Sequence, residues 1–176
     1  MPAPLKPPLQ PHRLLSSQSG RRESAHLSLV ATMPAVFSPD ECTRILALAQ
    51  QQQGFTGTVD ARADSDNPIR RSTVRFLYPG VDNDWLFARL DHAVVRLNAA
   101  YDFDLQGFFE GVQVASYGEG GHYGWHMDIG TDAFSTRKLS LSLQLSPEAD
   151  YGGGELEFLV GGDVATRAQG SLIAFP

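Results

Sequence analysis

The sequence predicts a mainly β (α+β) domain, an antiparallel sandwich or barrel fronted by two helices. Two segments in the first half carry apolar residues at helical spacing. From residue 108 the apolar period changes to two, and short alternating segments then follow one another with Gly-rich turns and no helix between them.

The N-terminal stretch "MPAPLKPPLQPHRLL" is too rich in proline for a helix interior or a central strand, and it has no continuous apolar run resembling a secretory signal. Residues 1–25 read as a basic, Pro-rich, disordered tail. They are followed by a helical support region at 26–107 and a strand-rich core at 108–176.

"FSPDECTRILALAQQQQ" opens the first helix. Ser38 is a good N-cap, Pro39 suits the first helical position, and Glu41 completes a capping box. Cys42, Ile45, Leu46 and Ala49 form its apolar stripe, which makes Cys42 a small buried hydrophobe rather than a reactive thiol. The polar, turn-rich residues 55–72 read as a mobile surface loop, and "TVRFLYP" as a short strand. The second helix, "DNDWLFARLDHAVVRLNAAY", is expected to be capped by Asp82 or Asp84, with Leu86, Leu90, Val94 and Leu97 inward and His92 solvated. "GVQVASYG" then alternates. "KLSLSLQLS" puts Leu139, Leu141, Leu143 and Leu145 on one face and Lys138, Ser140, Ser142 and Gln144 on the other. "GELEFLV" and "DVATRA" read as a hairpin turning at Gly161–Gly162, and "GSLIAFP" as the last strand.

Charge narrows the partners. The net charge is −6, but the first 25 residues hold four Lys or Arg and one acid, so the body is more acidic still. An acidic body disfavours a nucleic-acid backbone as partner. No apolar run reaches the roughly 18 residues that a membrane span needs, so no membrane partner is expected. The single cysteine rules out an internal disulfide and a thiolate metal cluster, and it suits a cytoplasmic location.

"GHYGWHMDIG", residues 121–130, carries the chemistry. His126 and Asp128 lie two apart, so on extended chain both side chains fall on one side. An imidazole and a carboxylate placed so are two corners of a facial triad, which leaves positions of an octahedral iron open. An H-x-D is common by chance, so its surroundings must decide. His122 and His126 also give an H-x-x-x-H spacing, which on a helix would suggest zinc. The flanking glycines oppose a helix there, and His122 reads as a rim residue.

The surroundings are specific. "YGEGGHYGWHMD" resembles the Y-x8-H-x-D signature of the prolyl 4-hydroxylase-like branch of the 2-oxoglutarate- and Fe(II)-dependent dioxygenases. "RKLSLSLQLS", "DYGGGELEF" and "GSLIAFP" resemble successive strands of that family's double-stranded β-helix, or jelly roll. "RRSTVRFL" and "NAAYDFDL" resemble the segment before it, so the likeness spans about residues 35–176. It implies that His126 and Asp128 are iron ligands and that Tyr117 borders the 2-oxoglutarate site. It also implies that Tyr123 and Trp125 line the mouth where substrate docks. The implied reaction is hydroxylation of an unactivated C–H bond by O2, with Fe(II) as cofactor, 2-oxoglutarate as cosubstrate and ascorbate as reductant. The substrate, a protein side chain or a small molecule, is not legible.

The chain departs from the family in one respect. The third iron ligand and the basic anchor for 2-oxoglutarate would follow the strand ending at Pro176, so the last two core strands are expected to be missing. None of Arg137, Lys138 and Arg167 matches the anchor position. The chain as it stands is therefore expected to be a fragment that binds iron weakly and turns over nothing. Two other readings remain open at this point: a non-enzymatic, cupin-like β-sandwich binding module, and a zinc hydrolase built on His122, His126 and Asp128.

Overall fold

The structure is a computed structural model that describes residues 30–57, 69–108, 110–130, 135–159 and 164–176. The tail at 1–25, residues 58–68 of the loop expected at 55–72, and the turn at 161–162 lie outside the described residues.

In chain order the elements are β1 (Ala31–Met33), α1 (Pro39–Gln50), β2 (Phe55–Thr56), β3 (Arg70–Arg71), β4 (Thr73–Leu77), α2 (Asp84–Asn98), β5 (Val112–Ser116), β6 (His122–Tyr123), β7 (Ser140–Leu143) and β8 (Leu172–Phe175). A 3-10 turn covers Glu148–Asp150. All pairings are antiparallel. One sheet has the order β1-β8-β7, a second β2-β4-β5, and β3 pairs with β6.

Helix α1 starts as its sequence requires. The Ser38 side chain accepts from the Glu41 N–H, and the Glu41 carboxylate accepts from the Ser38 N–H, which satisfies two N–H groups that the first turn leaves unpaired. Helix α2 differs from expectation at its start. Its N-cap is Asn83, with no capping side-chain bond, and Asp84 is the first helical residue. The Asn83 amide instead donates to the Tyr78 carbonyl, which spends it on the preceding turn.

The two helices cover one face of the sheets. Cys42, Ile45 and Ala49 from α1 and Leu86, Leu90, Ala93 and Leu97 from α2 meet Leu77, Val114, Leu172 and Ala174 in one core. Leu139, Leu141, Leu143 and Leu145 pack against that core, as their alternation predicts. Tyr101 ties the layers together. Its hydroxyl donates to the Ala174 carbonyl at 2.7 Å and accepts from the Ala31 N–H, and burial pushes its phenol pKa up.

The residues that alternate with these face away from the helices. Ser140 pairs with Phe175 and Ser142 with Ile173, so they share one face, and Phe158 packs edge-on against Phe175. In β4 and β5 the corresponding pairs are Val74 with Ala115 and Phe76 with Gln113.

Two expectations are corrected. The segment 55–72 is not one loop, because its ends form β2 and β3. "GELEFLV" and "DVATRA" contribute a single bridge, Glu157 to Val164, among the described residues rather than two strands. Strand β8 is the middle strand of its sheet, held by β1 on one side and β7 on the other, because the short segment before α1 supplies a neighbour that local periodicity cannot reveal.

Candidate metal-binding site

The site is built on a ribbon. Strands β4 and β5 pair from Leu77↔Val112 to Thr73↔Ser116, and the same two chain segments pair again as Arg71↔His122 and Arg70↔Tyr123. Between the two stretches only Ser72 stands opposite the five residues Tyr117–Gly121, so those five loop out as a wide bulge. The Gly121 N–H closes the bulge on the Gly118 carbonyl, and Gly120 has φ +68°, a conformation that suits glycine. Gly121 is also tight, since a Cβ there would meet the Gly118 carbonyl oxygen at 2.8 Å.

The ribbon's last ladder bond runs from the Gly124 N–H to the Ile69 carbonyl, at 2.6 Å. Beyond it the chain turns, and His126 folds back over the strand it has just left. Its imidazole lies flat on the Tyr123 ring, with centroids 3.6 Å apart and planes 11° apart. His126 Nδ1 is 2.8 Å from the Gly124 carbonyl oxygen. A carbonyl only accepts, so Nδ1 carries a proton and donates, which leaves the Nε2 lone pair to face outward in the neutral ring. That nitrogen lies 3.1 Å from Asp128 Oδ1.

Two electron-rich atoms at that separation need a cation. A proton would make an imidazolium–carboxylate pair, and a metal ion would be shared by both. Bonds of about 2.1 Å to two donors at right angles put those donors about 3.0 Å apart, so the pair fits two neighbouring positions of one coordination sphere. Among the described residues no group of three His, Cys, Asp or Glu gathers to hold an ion.

Tyr123 is held from its other neighbour. Arg70, its cross-strand partner, carries its guanidinium carbon 4.4 Å from the ring centroid. Arg70 is only 6% exposed. Its Nε donates to Ser72 Oγ at 2.9 Å and an Nη donates to Gln113 Oε1 at 2.6 Å. Burial raises the Tyr123 pKa, and the Arg70 charge opposes that shift.

Arg137 supports the other end of the pair. It donates to the Asp128 backbone carbonyl at 3.2 Å and is paired with Glu110. Arg167 is engaged elsewhere, by Glu155 and the Tyr151 carbonyl, and Lys138 is exposed.

The structure thus brings His126, Asp128 and Tyr123 together. Tyr117 does not continue the β5 face with Gln113 and Ala115. It starts the bulge and is 47% exposed, although its charge still raises the Tyr123 pKa. Trp125 projects to solvent at 58% exposure. His122 lies on strand β6, so the helical H-x-x-x-H arrangement does not form. Arg70 is the residue that sequence reading missed. It sits at the edge of a polar, turn-rich stretch, and the only local hint was the return of alternation at "RRSTV".

Residues 112–176, which include the ribbon's second strand, the His126–Asp128 pair, β7 and β8, match the family model of the 2OG-Fe(II) oxygenase superfamily. Among solved structures, the chain is similar to a Pseudomonas putida prolyl-4-hydroxylase. The TM-score is 0.61 at 22% identity, covering 83% of this chain and 79% of that one. That coverage extends the shared fold beyond the family segment. No curated protein matches the chain. Among the described residues no helix is long and apolar enough to cross a membrane.

Proposed function

We propose that this chain carries the site of a 2-oxoglutarate- and Fe(II)-dependent dioxygenase of the prolyl 4-hydroxylase-like kind, with His126 and Asp128 as two of the iron ligands. The observation that carries the reading is the 3.1 Å approach of His126 Nε2 to Asp128 Oδ1, with the Nδ1 proton committed to the Gly124 carbonyl. A ligating histidine whose second nitrogen donates to a carbonyl is the usual arrangement in metal proteins.

Bound iron with 2-oxoglutarate would supply the activation of O2 that C–H hydroxylation requires, with ascorbate as the reductant that keeps the metal ferrous. The protein's own residues do the rest. The Gly124 carbonyl fixes the tautomer of His126. Arg137 holds the backbone of Asp128 in place. Tyr117, in the bulge, borders the cosubstrate position, and Tyr123 and Trp125 border the substrate.

The test is metal titration of the 176-residue chain. Co(II) is expected to bind with a visible absorption band, and His126→Ala or Asp128→Ala to weaken it at least 100-fold. Zinc held tightly by the purified protein would favour a hydrolase instead. No uptake of either metal would favour a binding module, and with it the iron assignment would be lost.

A further inference from the structure

We propose that Arg70 and Tyr123 act as a clamp that sets the plane of the His126 imidazole, making both positioning residues for the metal pair; this rests on the iron reading above. His126 lies past the last ladder bond of the ribbon, in chain without regular structure. A histidine's outer torsion sits in a broad well, so backbone alone does not aim its ring. One contact, from Nδ1 to the Gly124 carbonyl, fixes one edge of the ring but leaves it free to swing about that bond. The flat Tyr123 contact removes that freedom, because a ring stacked at 3.6 Å and 11° cannot rotate without losing the whole face.

Tyr123 in turn needs a support, and Arg70 is built as one. Three separate chain segments converge on it: Gly57, Ser72 and Gln113. A Cβ at position 57 would come within 2.7 Å of Arg70 Nε and 2.2 Å of Ser72 Oγ, so the backbone there lies directly against the guanidinium. Its bonds go to a neutral hydroxyl and a neutral amide, and no described ion pair includes it. A buried cation without an acid is retained at a cost. Here its planar fork is held by two neutral groups and presented to the Tyr123 ring, a contact that gains strength from desolvation. The order of support runs from the β4–β5 ribbon through Arg70 and Tyr123 to the imidazole.

The experiment uses the 176-residue chain and four variants: Tyr123→Phe, Tyr123→Leu, Arg70→Met and Arg70→Lys. Co(II) affinity and the NMR signals of the His126 ring are measured for each. Tyr123→Phe keeps the ring and is expected to bind Co(II) within about twofold of the parent. Tyr123→Leu and Arg70→Met are expected to weaken it by about 10–100-fold, the usual effect of removing a residue that supports a metal ligand, in chains whose amide spectra remain folded. Arg70→Lys keeps charge without the planar fork. It should behave as Arg70→Met does, and it replaces that variant if the latter does not fold. In the metal-free parent, proton–proton contacts between the Tyr123 and His126 rings and a fixed Nδ1–H form are expected, and the ring contacts disappear in Tyr123→Leu.

Equal Co(II) affinity and unchanged His126 signals in Tyr123→Leu would overturn the clamp while leaving the iron reading intact. If the parent binds no Co(II), the iron reading fails. The metal-free spectra still decide the clamp, since ring contacts uphold it and a freely rotating imidazole refutes it.

Discussion

Replacing Gly170 with alanine tests how the segment leading into α1 is joined to the β1-β8-β7 sheet. Gly170 precedes β8 and has φ +78°. Its carbonyl accepts from the Val36 N–H at 2.8 Å and the Phe37 N–H at 3.2 Å, just ahead of α1. A Cβ at this position would lie 1.9 Å from the Phe37 carbonyl oxygen, with backbone on both sides and no flexible side chain to move away. The left-handed conformation alone costs an alanine about 1–2 kcal/mol. Relieving the clash must separate the two backbones, which sacrifices one or both hydrogen bonds at about 1 kcal/mol each. The expected loss is therefore about 3 kcal/mol. With a urea slope of about 2 kcal/mol/M for a small domain, the unfolding midpoint should fall by about 1.5 M. Gly153→Ala is the control. It has φ +72°, but a Cβ there meets nothing closer than a Glu155 carboxylate oxygen at 3.9 Å, so only the conformational cost of about 1–2 kcal/mol applies. If the two variants lose the same stability, the close approach of Gly170 to Phe37 is not a feature of the folded protein.

Other expectations can be checked in the same material. Ser38→Ala should cost about 1 kcal/mol in urea unfolding, because it removes half of a formed capping box. The bond from the Ser38 N–H, aided by Arg89, holds the Glu41 carboxyl below its ordinary 4.5. Glu41 therefore stabilises the fold fully above 4.5, and the contribution disappears as pH falls through its lower folded value. The melting temperatures of the parent and Glu41→Gln should differ at pH 7 and converge in acid. Cys42 is fully buried and its thiol pKa is raised, first by burial. A thiol reagent should label it only at the rate of opening, and rapid labelling of the native protein would contradict the packing of α1.

Much of this protein was legible residue by residue. The capping box at Ser38, the stripe containing Cys42 and the four alternating leucines are statements about neighbours three, four or two residues apart. Helix and strand geometry turn such spacings directly into faces, and the structure places those faces on one core. The approach of His126 to Asp128 was not legible in that way, because the chain turns after Gly124 and both residues lie outside regular strand. The start of α2 was not, because Asp82, Asn83 and Asp84 are equally good caps by type, and the choice fell to how the turn after Tyr78 closes.

What only the tertiary structure decided lies between segments far apart in the chain. Nothing near Arg70 marks it as buried. Its place follows from pairing with Tyr123 and bonding Gln113, which is 43 residues away. Tyr117 leaves the β5 face because five residues must bulge out opposite Ser72, a register choice made by both strands together. Strand β8 becomes central because β1, more than 130 residues earlier, closes its second edge. The sequence by itself determined which side chains of a helix or strand share a face, since that depends on local backbone period, whereas the closeness of His126 and Asp128 came from the turn after Gly124. Which residues stand behind that pair was decided by strand register and by contacts that close long loops, and no local pattern encodes either.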